Sequence, residues 1–179
     1  MREIIVDSAM SFSEALAEKE IPDNIRKTLS LVEIPHYSFD GKLHQGQLVV
    51  HADVAQEIRR IFDRLAEKRF PIARVIPIVA YGWDDDRSMV ANNTSAFNYR
   101  PIRGTDRLSC HSFGLAIDIN PALNPCIQYD GEVVPPGARY DPGQPGTVTA
   151  DIAPLFKSCG WEWGGDWHNK DWQHFQKTV

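Results

Sequence analysis

The clearest hydrophobic pattern in the chain lies between Ala52 and Lys68. Apolar residues recur there at intervals of three and four positions, which places them on one face of an α-helix. They are Val54, Ile58, Ile61, Phe62 and Leu65. The opposite face carries charged residues, namely Arg59, Arg60, Glu67 and Lys68. The segment therefore predicts an amphipathic helix that packs on a core and ends before Pro71.

The segments before this helix predict smaller elements. Residues 11–18 and 23–31 suit short helices, with Ser11 and Asp23 as their N-caps. The aromatic, glycine-containing stretch that follows, residues 34–51, predicts a hairpin that turns around position 40.

The second half of the chain alternates between apolar runs and long polar stretches. Residues 73–83 are mostly apolar and predict a buried strand, and residues 115–120 alternate as a short strand does. The remaining predictions are an ordered polar loop over 92–107, a surface excursion over 121–149, a helix over 151–158 opened by Asp151, and a final strand over 172–176.

Together these patterns predict an α+β fold, with a small and mainly antiparallel sheet flanked by helices. The chain of 179 residues is expected to form one domain, since no linker or repeat divides it. Within that domain, residues 1–70 are interpreted as a mostly helical scaffold and residues 70–179 as the part that carries the chemistry.

Bulk composition excludes some classes of function. The net charge is −5, so no overall positive field attracts nucleic acid, and we expect no nucleic-acid partner. No apolar run approaches the roughly 20 residues that cross a membrane, so no transmembrane segment is predicted. The first sixteen residues are too acidic and too short in apolar length for a secretory signal. The chain therefore either begins in the cytoplasm or has lost an export segment.

The cysteines do not indicate a disulfide framework. Cys110, Cys126 and Cys159 are odd in number and show no CxxC spacing. Cys110 adjoins a histidine, but neighbouring side chains on an extended backbone point in opposite directions, so we exclude it as a metal ligand.

Metal-binding chemistry is concentrated in residues 109–120, which read Ser-Cys-His-Ser-Phe-Gly-Leu-Ala-Ile-Asp-Ile-Asn. His111 and Asp118 are seven positions apart and can converge only if the chain turns between them, which Gly114 permits. Asp118 interrupts an apolar strand, and a lone buried carboxylate is costly unless it is paired or binds a metal. The alternative is an ion pair of Asp118 with Arg100 or Arg103.

A second group of such residues lies near the C-terminus, where residues 171–174 read Asp-Trp-Gln-His. Two imidazoles and one carboxylate, with a fourth position free for water, form the donor set of a catalytic zinc site. His174 would complete that set, and Asp171 would act as general base to a water whose pKa zinc lowers. The alternatives are a core histidine and a surface ion pair of Asp171 with Lys170 or Lys177.

Other polar residues carry weaker signals. Arg100 follows a polar loop and could anchor a substrate carboxylate or stabilise an oxyanion, or it could pair with Asp106 instead. The acidic run 84–86 is interpreted as a solvated turn. The remaining histidines have no such neighbours in sequence and are predicted to play no part in the site: His36, His44, His51 and His168.

The double motif Ser-x-His-x-x-Gly-x-Ala-x-Asp at 109–118 and acidic-x-x-His at 171–174 resembles one family. It is similar to the zinc peptidases of bacterial cell-wall peptides, which include D-alanyl-D-alanine carboxypeptidases and dipeptidases and the L-alanyl-D-glutamate endopeptidases. These share a fold group with lysostaphin-type enzymes and the hedgehog signalling domain. The resemblance covers about residues 70–179, including the stretch Ser-Ala-Phe-Asn-Tyr-Arg at 95–100.

The resemblance implies a role for each matching position. His111, Asp118 and His174 would bind one zinc ion per chain, Asp171 would be the catalytic acid and base, and Arg100 would contact the scissile carbonyl or a substrate carboxylate. Ser109, Ser95 and Tyr99 would support the ligands or contact substrate. The carboxypeptidases typically carry glutamate as the acid and base, whereas the endopeptidases typically carry aspartate, so Asp171 favours the endopeptidases.

The sequence thus predicts a zinc-dependent hydrolase, expected to be a monomer, that cleaves an amide of peptidoglycan stem peptides in the cell wall or periplasm. The preferred bond is that between L-alanine and D-glutamate. The first alternative is a D-alanyl-D-alanine carboxypeptidase or dipeptidase. The alternative from another class is a zinc-binding module that attaches to the cell wall without turnover.

Overall fold

The computed structural model describes residues 4–178. Its strands, in chain order, are β1 (Ile5–Val6), β2 (Leu29–Tyr37), β3 (Leu43–His51), β4 (Arg74–Val75), β5 (Asn93–Thr94), β6 (Ala116–Asp118), β7 (Cys126–Ile127), β8 (Val133–Val134), β9 (Glu162–Trp163) and β10 (His174–Gln176). Its helices are α1 (Phe12–Ala15), α2 (Asp23–Arg26), α3 (Ala55–Glu67), α4 (Asp85–Val90) and α5 (Ala153–Lys157). This mixture of small, mostly antiparallel sheets and helices confirms the predicted α+β class.

The longest strands form the predicted hairpin. β2 and β3 pair antiparallel over nine residues, from Leu29 opposite His51 to Tyr37 opposite Leu43. β1 adds to the outer side of β3 in parallel orientation through only two residue pairs. This three-stranded sheet, in the order β1-β3-β2, forms the first layer of the fold.

The amphipathic helix is confirmed as α3, which begins three residues later than predicted because Ala52–Val54 form a 3-10 turn. Its apolar face lies on β2 and buries Ile58, Ile61, Phe62 and Leu65. The main core continues from this interface to the second sheet through Ile117, Phe156 and Phe175. A smaller core packs α1 and α2 against the outer face of the hairpin through Leu16, Ile25 and Phe97.

The second sheet positions the chemistry. It is antiparallel throughout, with the strand order β6-β10-β9. Ser95, directly after β5, forms an antiparallel bridge to Asp118 at the edge of β6. Residues from four separate segments of the chain therefore meet at this sheet.

Several predicted elements were wrong in extent. The helix predicted over 23–31 ends at Arg26, because Leu29 already pairs with β3, and a nine-residue strand ladder outweighs a short isolated helix. Asp23 lies in the first turn of α2, and Pro22 takes the N-cap position. Ser11 is the N-cap of α1, as predicted, and forms a capping box with Glu14.

Two further predictions were wrong in part. The strand predicted over 73–83 is limited to β4, because Pro77 cannot donate to a strand ladder and a 3-10 turn, Ile78–Tyr81, follows it. The excursion over 121–149 is not confined to the surface, since Asn124 is buried and its amide donates to the carbonyl oxygens of Ile119 and Gly146. Within residues 4–178 no helix combines the length and apolarity that a membrane crossing demands.

Candidate metal centre

Three candidate ligands converge from distant segments. His111 lies in the 3-10 turn Cys110–Phe113, Asp118 is the last residue of β6, and His174 is the first residue of β10. All three side chains are buried, and their ligand atoms lie within 4.8 Å of one another. The structure thus brings together the trio that the sequence predicted.

The three side chains approach one another through single atoms. Nε2 of His111 lies 3.1 Å from Oδ2 of Asp118, and Nδ1 of His174 lies 2.9 Å from Oδ1 of the same carboxylate. The two imidazole nitrogens that face each other, Nε2 of His111 and Nδ1 of His174, are 3.3 Å apart. Four atoms that can present lone pairs therefore surround one point.

The outer nitrogens of the two imidazoles determine which tautomers are present. Nδ1 of His111 donates to the main-chain carbonyl of Ala96. Nε2 of His174 donates to Oε1 of Gln176 over 3.2 Å, and the amide nitrogen of Gln176 is itself directed at Glu162. In its neutral form each imidazole would therefore turn a lone pair inward, and metal-binding histidines characteristically have such outer partners. Converging lone pairs repel unless a cation lies between them, so this donor set fits a divalent metal.

The turn that joins His111 to Asp118 depends on two flanking residues. The hydroxyl of Ser109 accepts a hydrogen bond from the main-chain N–H of His111 and caps the 3-10 turn. Gly114 ends the turn in the left-handed region, with φ of 67°. A Cβ at this position would lie 2.5 Å from the main-chain nitrogen of His51, so only glycine allows the motif to pack on β3.

Asp118 is held through its main chain by Ser95. The N–H of each residue donates to the carbonyl of the other, at 3.1 and 2.9 Å. The predicted alternative, an ion pair of Asp118 with Arg100 or Arg103, is wrong, because those arginines pair with Asp85 and Asp86 on α4.

Arg100 lies beside the motif, and its guanidinium contacts another carboxylate. Its Nη2 lies 2.6 Å from Oδ2 of Asp85, so the predicted alternative partner Asp106 is also wrong. Its main chain is fixed by Ser112, whose hydroxyl accepts from the N–H of Arg100 and donates to the carbonyl of the same residue. Arg100 is therefore anchored to the metal motif at its backbone and to α4 at its side chain.

Asp171 lies on the segment before β10. Its Oδ1 is buried and has no hydrogen-bond partner among the described residues. Burial raises the pKa of Asp171 to about 6, while the positive charge of His174 acts in the opposite direction. The predicted surface ion pair is wrong, because Lys177 pairs with Glu57 and Lys170 donates to the carbonyl of Gly165.

Two contacts define the position of Asp171. A Cβ on Gly164 would lie 2.5 Å from the main-chain oxygen of Asp171, so the two backbones touch. Cys126 forms a β-bridge with Asp171, and the nearby thiol of Cys126 lowers the pKa of the Asp171 carboxyl. A carboxyl with a near-neutral pKa beside a metal trio can accept a proton and later return it.

The charges within the trio reinforce one another. Burial alone would raise the pKa of Asp118, but His111 and His174 outweigh it and hold that pKa far below its usual range. Burial would likewise lower the pKa of His174, yet Asp118 and Asp171 raise it to about 9. The carboxylate of Asp118 and the positive charges on the histidines thus stabilise one another.

The remaining residues that the sequence analysis considered lie outside the trio. Tyr99 packs on the smaller core, and His168 is exposed to solvent. Asp84 caps α4 rather than forming a simple turn. Two histidines predicted to have no site partners, His36 and His44, lie together with Asp7.

Sequence reasoning missed four partners of the site: the carbonyl of Ala96, Ser112, Cys126 and Gln176. Only Gln176 could have been predicted, because a residue two positions after His174 on a strand lies on the same face. The other three depend on contacts between segments that the sequence does not place next to each other.

Comparison with known proteins gives one match. Residues 103–177 match a family model described as D-alanyl-D-alanine carboxypeptidase. No curated protein and no solved structure matches the chain. The matched segment contains His111, Asp118, Asp171 and His174, whereas Arg100 lies outside it.

Proposed function

We propose that this chain is a zinc hydrolase of peptidoglycan stem peptides that cleaves the L-alanyl-D-glutamate bond. The match of residues 103–177 to the family model described as D-alanyl-D-alanine carboxypeptidase supports a peptidase that acts on cell-wall peptides. The observation that carries this proposal is the buried trio of His111, Asp118 and His174 beside the carboxyl of Asp171. Peptidases of this family act on cell-wall peptides with a bound metal. Which metal this chain binds and which peptide bond it cleaves are parts of our proposal.

The trio would hold zinc through Nε2 of His111, Nδ1 of His174 and the carboxylate of Asp118. Two imidazoles and one carboxylate match the ligands that catalytic zinc prefers, and three protein ligands leave a position for water. Zinc bound there would polarise the scissile carbonyl and lower the pKa of the attacking water to about 7.

Asp171 would move the proton. Its carboxylate takes a proton from the attacking water and then delivers it to the leaving amine, because a group with a pKa near the working pH can do both. The buried Oδ1 has no protein partner among residues 4–178, which supports a role toward water or substrate. Arg100, fixed at the edge of the motif, would contact the carbonyl oxygen or a substrate carboxylate once substrate competes with Asp85.

Two features bear on the choice of bond. The acid and base is aspartate rather than glutamate, as in the endopeptidases. The guanidinium of Arg100 already has a carboxylate partner at 2.6 Å, so a terminal substrate carboxylate would have to displace Asp85. The second candidate, a D-alanyl-D-alanine carboxypeptidase, is favoured by the description of the matched family model.

Mass spectrometry of defined muropeptides tests the proposal. A disaccharide carrying a pentapeptide stem is incubated with zinc-loaded protein and with the Asp171→Ala variant as control. Cleavage after L-alanine leaves the sugar with one alanine attached and releases a tetrapeptide that begins with D-glutamate. Loss of the terminal D-alanine alone identifies the carboxypeptidase instead. If the substrate stays intact and the zinc-loaded protein nevertheless binds sacculi, the chain is a binding module without turnover.

A further inference from the structure

The hairpin carries a second trio of metal-ligating side chains. Asp7, directly after β1, His36 on β2 and His44 on β3 bring their ligand atoms within 4.8 Å of one another. His36 and His44 are direct cross-strand partners, and the main chain of Asp7 bonds to Gln45 on β3. The trio therefore joins all three strands of the first sheet.

The contacts within this trio are comparable to those of the first. Nδ1 of His44 lies 2.9 Å from Oδ1 of Asp7, and Nε2 of His36 lies 3.5 Å from Oδ2 of Asp7. Nε2 of His36 has no hydrogen-bond partner among the described residues, and the side chain is buried, with only 1% exposed. A buried nitrogen that accepts nothing is costly unless a ligand satisfies it.

The outer nitrogens again determine the tautomers. Nδ1 of His36 is directed at the carbonyl oxygen of Ile34, and a carbonyl can only accept, so the proton is on Nδ1. Nε2 of His44 is directed at the carboxylate of Asp40, 3.2 Å away. Nε2 of His36 and Nδ1 of His44 are thus the nitrogens that face Asp7.

The two trios share one design. In each, one histidine presents Nε2 and anchors Nδ1 on a main-chain carbonyl, while the other presents Nδ1 and anchors Nε2 on a side-chain oxygen. In each, a single aspartate faces both inward nitrogens. Outer partners of this kind orient histidines that bind metal.

We infer that Asp7, His36 and His44 form a second zinc-binding site, separate from the catalytic trio, which fastens β1 to the β2–β3 hairpin. β1 has only two residue pairs with β3, so a metal bridge from Asp7 adds a cross-link where the strand itself is short. An open groove of about 540 Å³, lined in part by Asp7, Ser8, Met10 and Glu14, borders the trio at Asp7 and has room for water as a further ligand.

Metal counting tests this inference. The purified protein is stripped with a chelator, reloaded with zinc and dialysed, and zinc per chain is measured by mass spectrometry of the elements. We expect about two zinc ions per chain in the parent and about one in Asp7→Asn, which keeps the shape of the side chain. His51→Ala is the matched control, since His51 lies on the same strand outside the trio and should retain both ions.

The His111→Ala background separates the two sites. This variant should retain about one zinc ion, and the double variant Asp7→Asn/His111→Ala should retain essentially none. Zinc should also raise the melting temperature of His111→Ala but not that of the double variant. A parent that holds one ion, together with a His111→Ala variant that holds none and shows no zinc-dependent melting shift, overturns the second site.

Discussion

His174 lies directly opposite Asp118 in the antiparallel pairing of β10 with β6, and its Nδ1 lies 2.9 Å from the Asp118 carboxylate. Cross-strand partners have adjacent side chains on one face of a sheet. The sheet register alone therefore brings together two ligands that are separated by 56 residues. The 3-10 turn that carries His111 adds the third.

Loss of either imidazole should remove the zinc ion of this centre. We expect His111→Ala and His174→Ala each to lose about one zinc ion per chain relative to the parent, because two remaining ligands cannot hold a catalytic ion tightly. Elemental analysis of the dialysed proteins measures this loss. His168→Ala, which alters an exposed histidine, is the control, and unchanged zinc in both ligand variants would contradict the assignment.

Asp171→Ala should separate turnover from metal binding. The variant should keep its fold and zinc but lose roughly 10²–10⁴-fold in kcat, the range expected for a missing general acid and base. Steady-state hydrolysis of a muropeptide, with zinc content measured in parallel, checks this. Activity within a few-fold of the parent would transfer the role to Glu162 or Asp166, although the structure pairs these with Gln176 and Lys157.

The pH profile should have an acid limb set by Asp171. Burial raises the pKa of Asp171 to about 6, and only its ionised form can act as base, so kcat/KM should fall as the pH drops through that value. A bound cation favours the carboxylate and would move the limb to lower pH. The thiol of Cys126 lowers the pKa of Asp171, so the acid limb of Cys126→Ala should lie at higher pH than that of the parent. Coincident profiles would show that Cys126 does not tune this carboxyl.

Gly164→Ala should impair catalysis by displacing Asp171. The added Cβ would lie 2.5 Å from the Asp171 main-chain oxygen and 2.9 Å from its Cβ, so that segment must shift. Displacement of a catalytic group by about 1 Å can cost on the order of 10²-fold in kcat, and zinc content should persist. Gly143→Ala is the control, because its Cβ would meet only the side chain of Asp141. Full activity of Gly164→Ala would show that Asp171 tolerates such a shift.

Arg100→Ala should lower kcat by on the order of 10²-fold if the guanidinium stabilises charge that develops on the carbonyl oxygen. Arg100→Lys should restore only part of it, because lysine lacks the planar fork. Asp85→Ala removes the partner that holds Arg100 in the free protein and should retain most activity. A rise in KM alone would identify an anchor for a substrate carboxylate. Equal losses in melting temperature for Arg100→Ala and Asp85→Ala, with unchanged kinetics, would identify a purely structural pair.

The sequence predicted those parts of the molecule that depend on local patterns. The α3 helix followed from its apolar spacing, the hairpin from the turn around Asp40-Gly41, and the Ser11 cap from local hydrogen bonding. The motif residues His111, Asp118 and His174 were recognisable as a ligand set because their chemistry is specific. That they bind zinc, that Asp171 acts as the base, and that the chain forms one domain remain predictions.

The tertiary structure decided everything that requires two distant segments to meet. Leu29–Leu31 became strand instead of helix because β3 offered hydrogen-bond partners that a nine-residue window cannot reveal. Packing between elements pairs Arg100 with Asp85 rather than with Asp106. It also places Cys126 beside Asp171.

The second trio, Asp7, His36 and His44, was likewise determined partly by the sequence and partly by the tertiary structure. A turn centred on position 40 places His36 opposite His44, so the sequence contained half of that site. Asp7 joins it only because β1 adds to the outer side of β3, and a two-residue parallel pairing leaves no periodic pattern in the sequence. Local propensity and side-chain chemistry thus determined the elements and the candidate ligands. Strand register and packing between elements determined which ligands share a site, because those depend on the free energy of the whole fold.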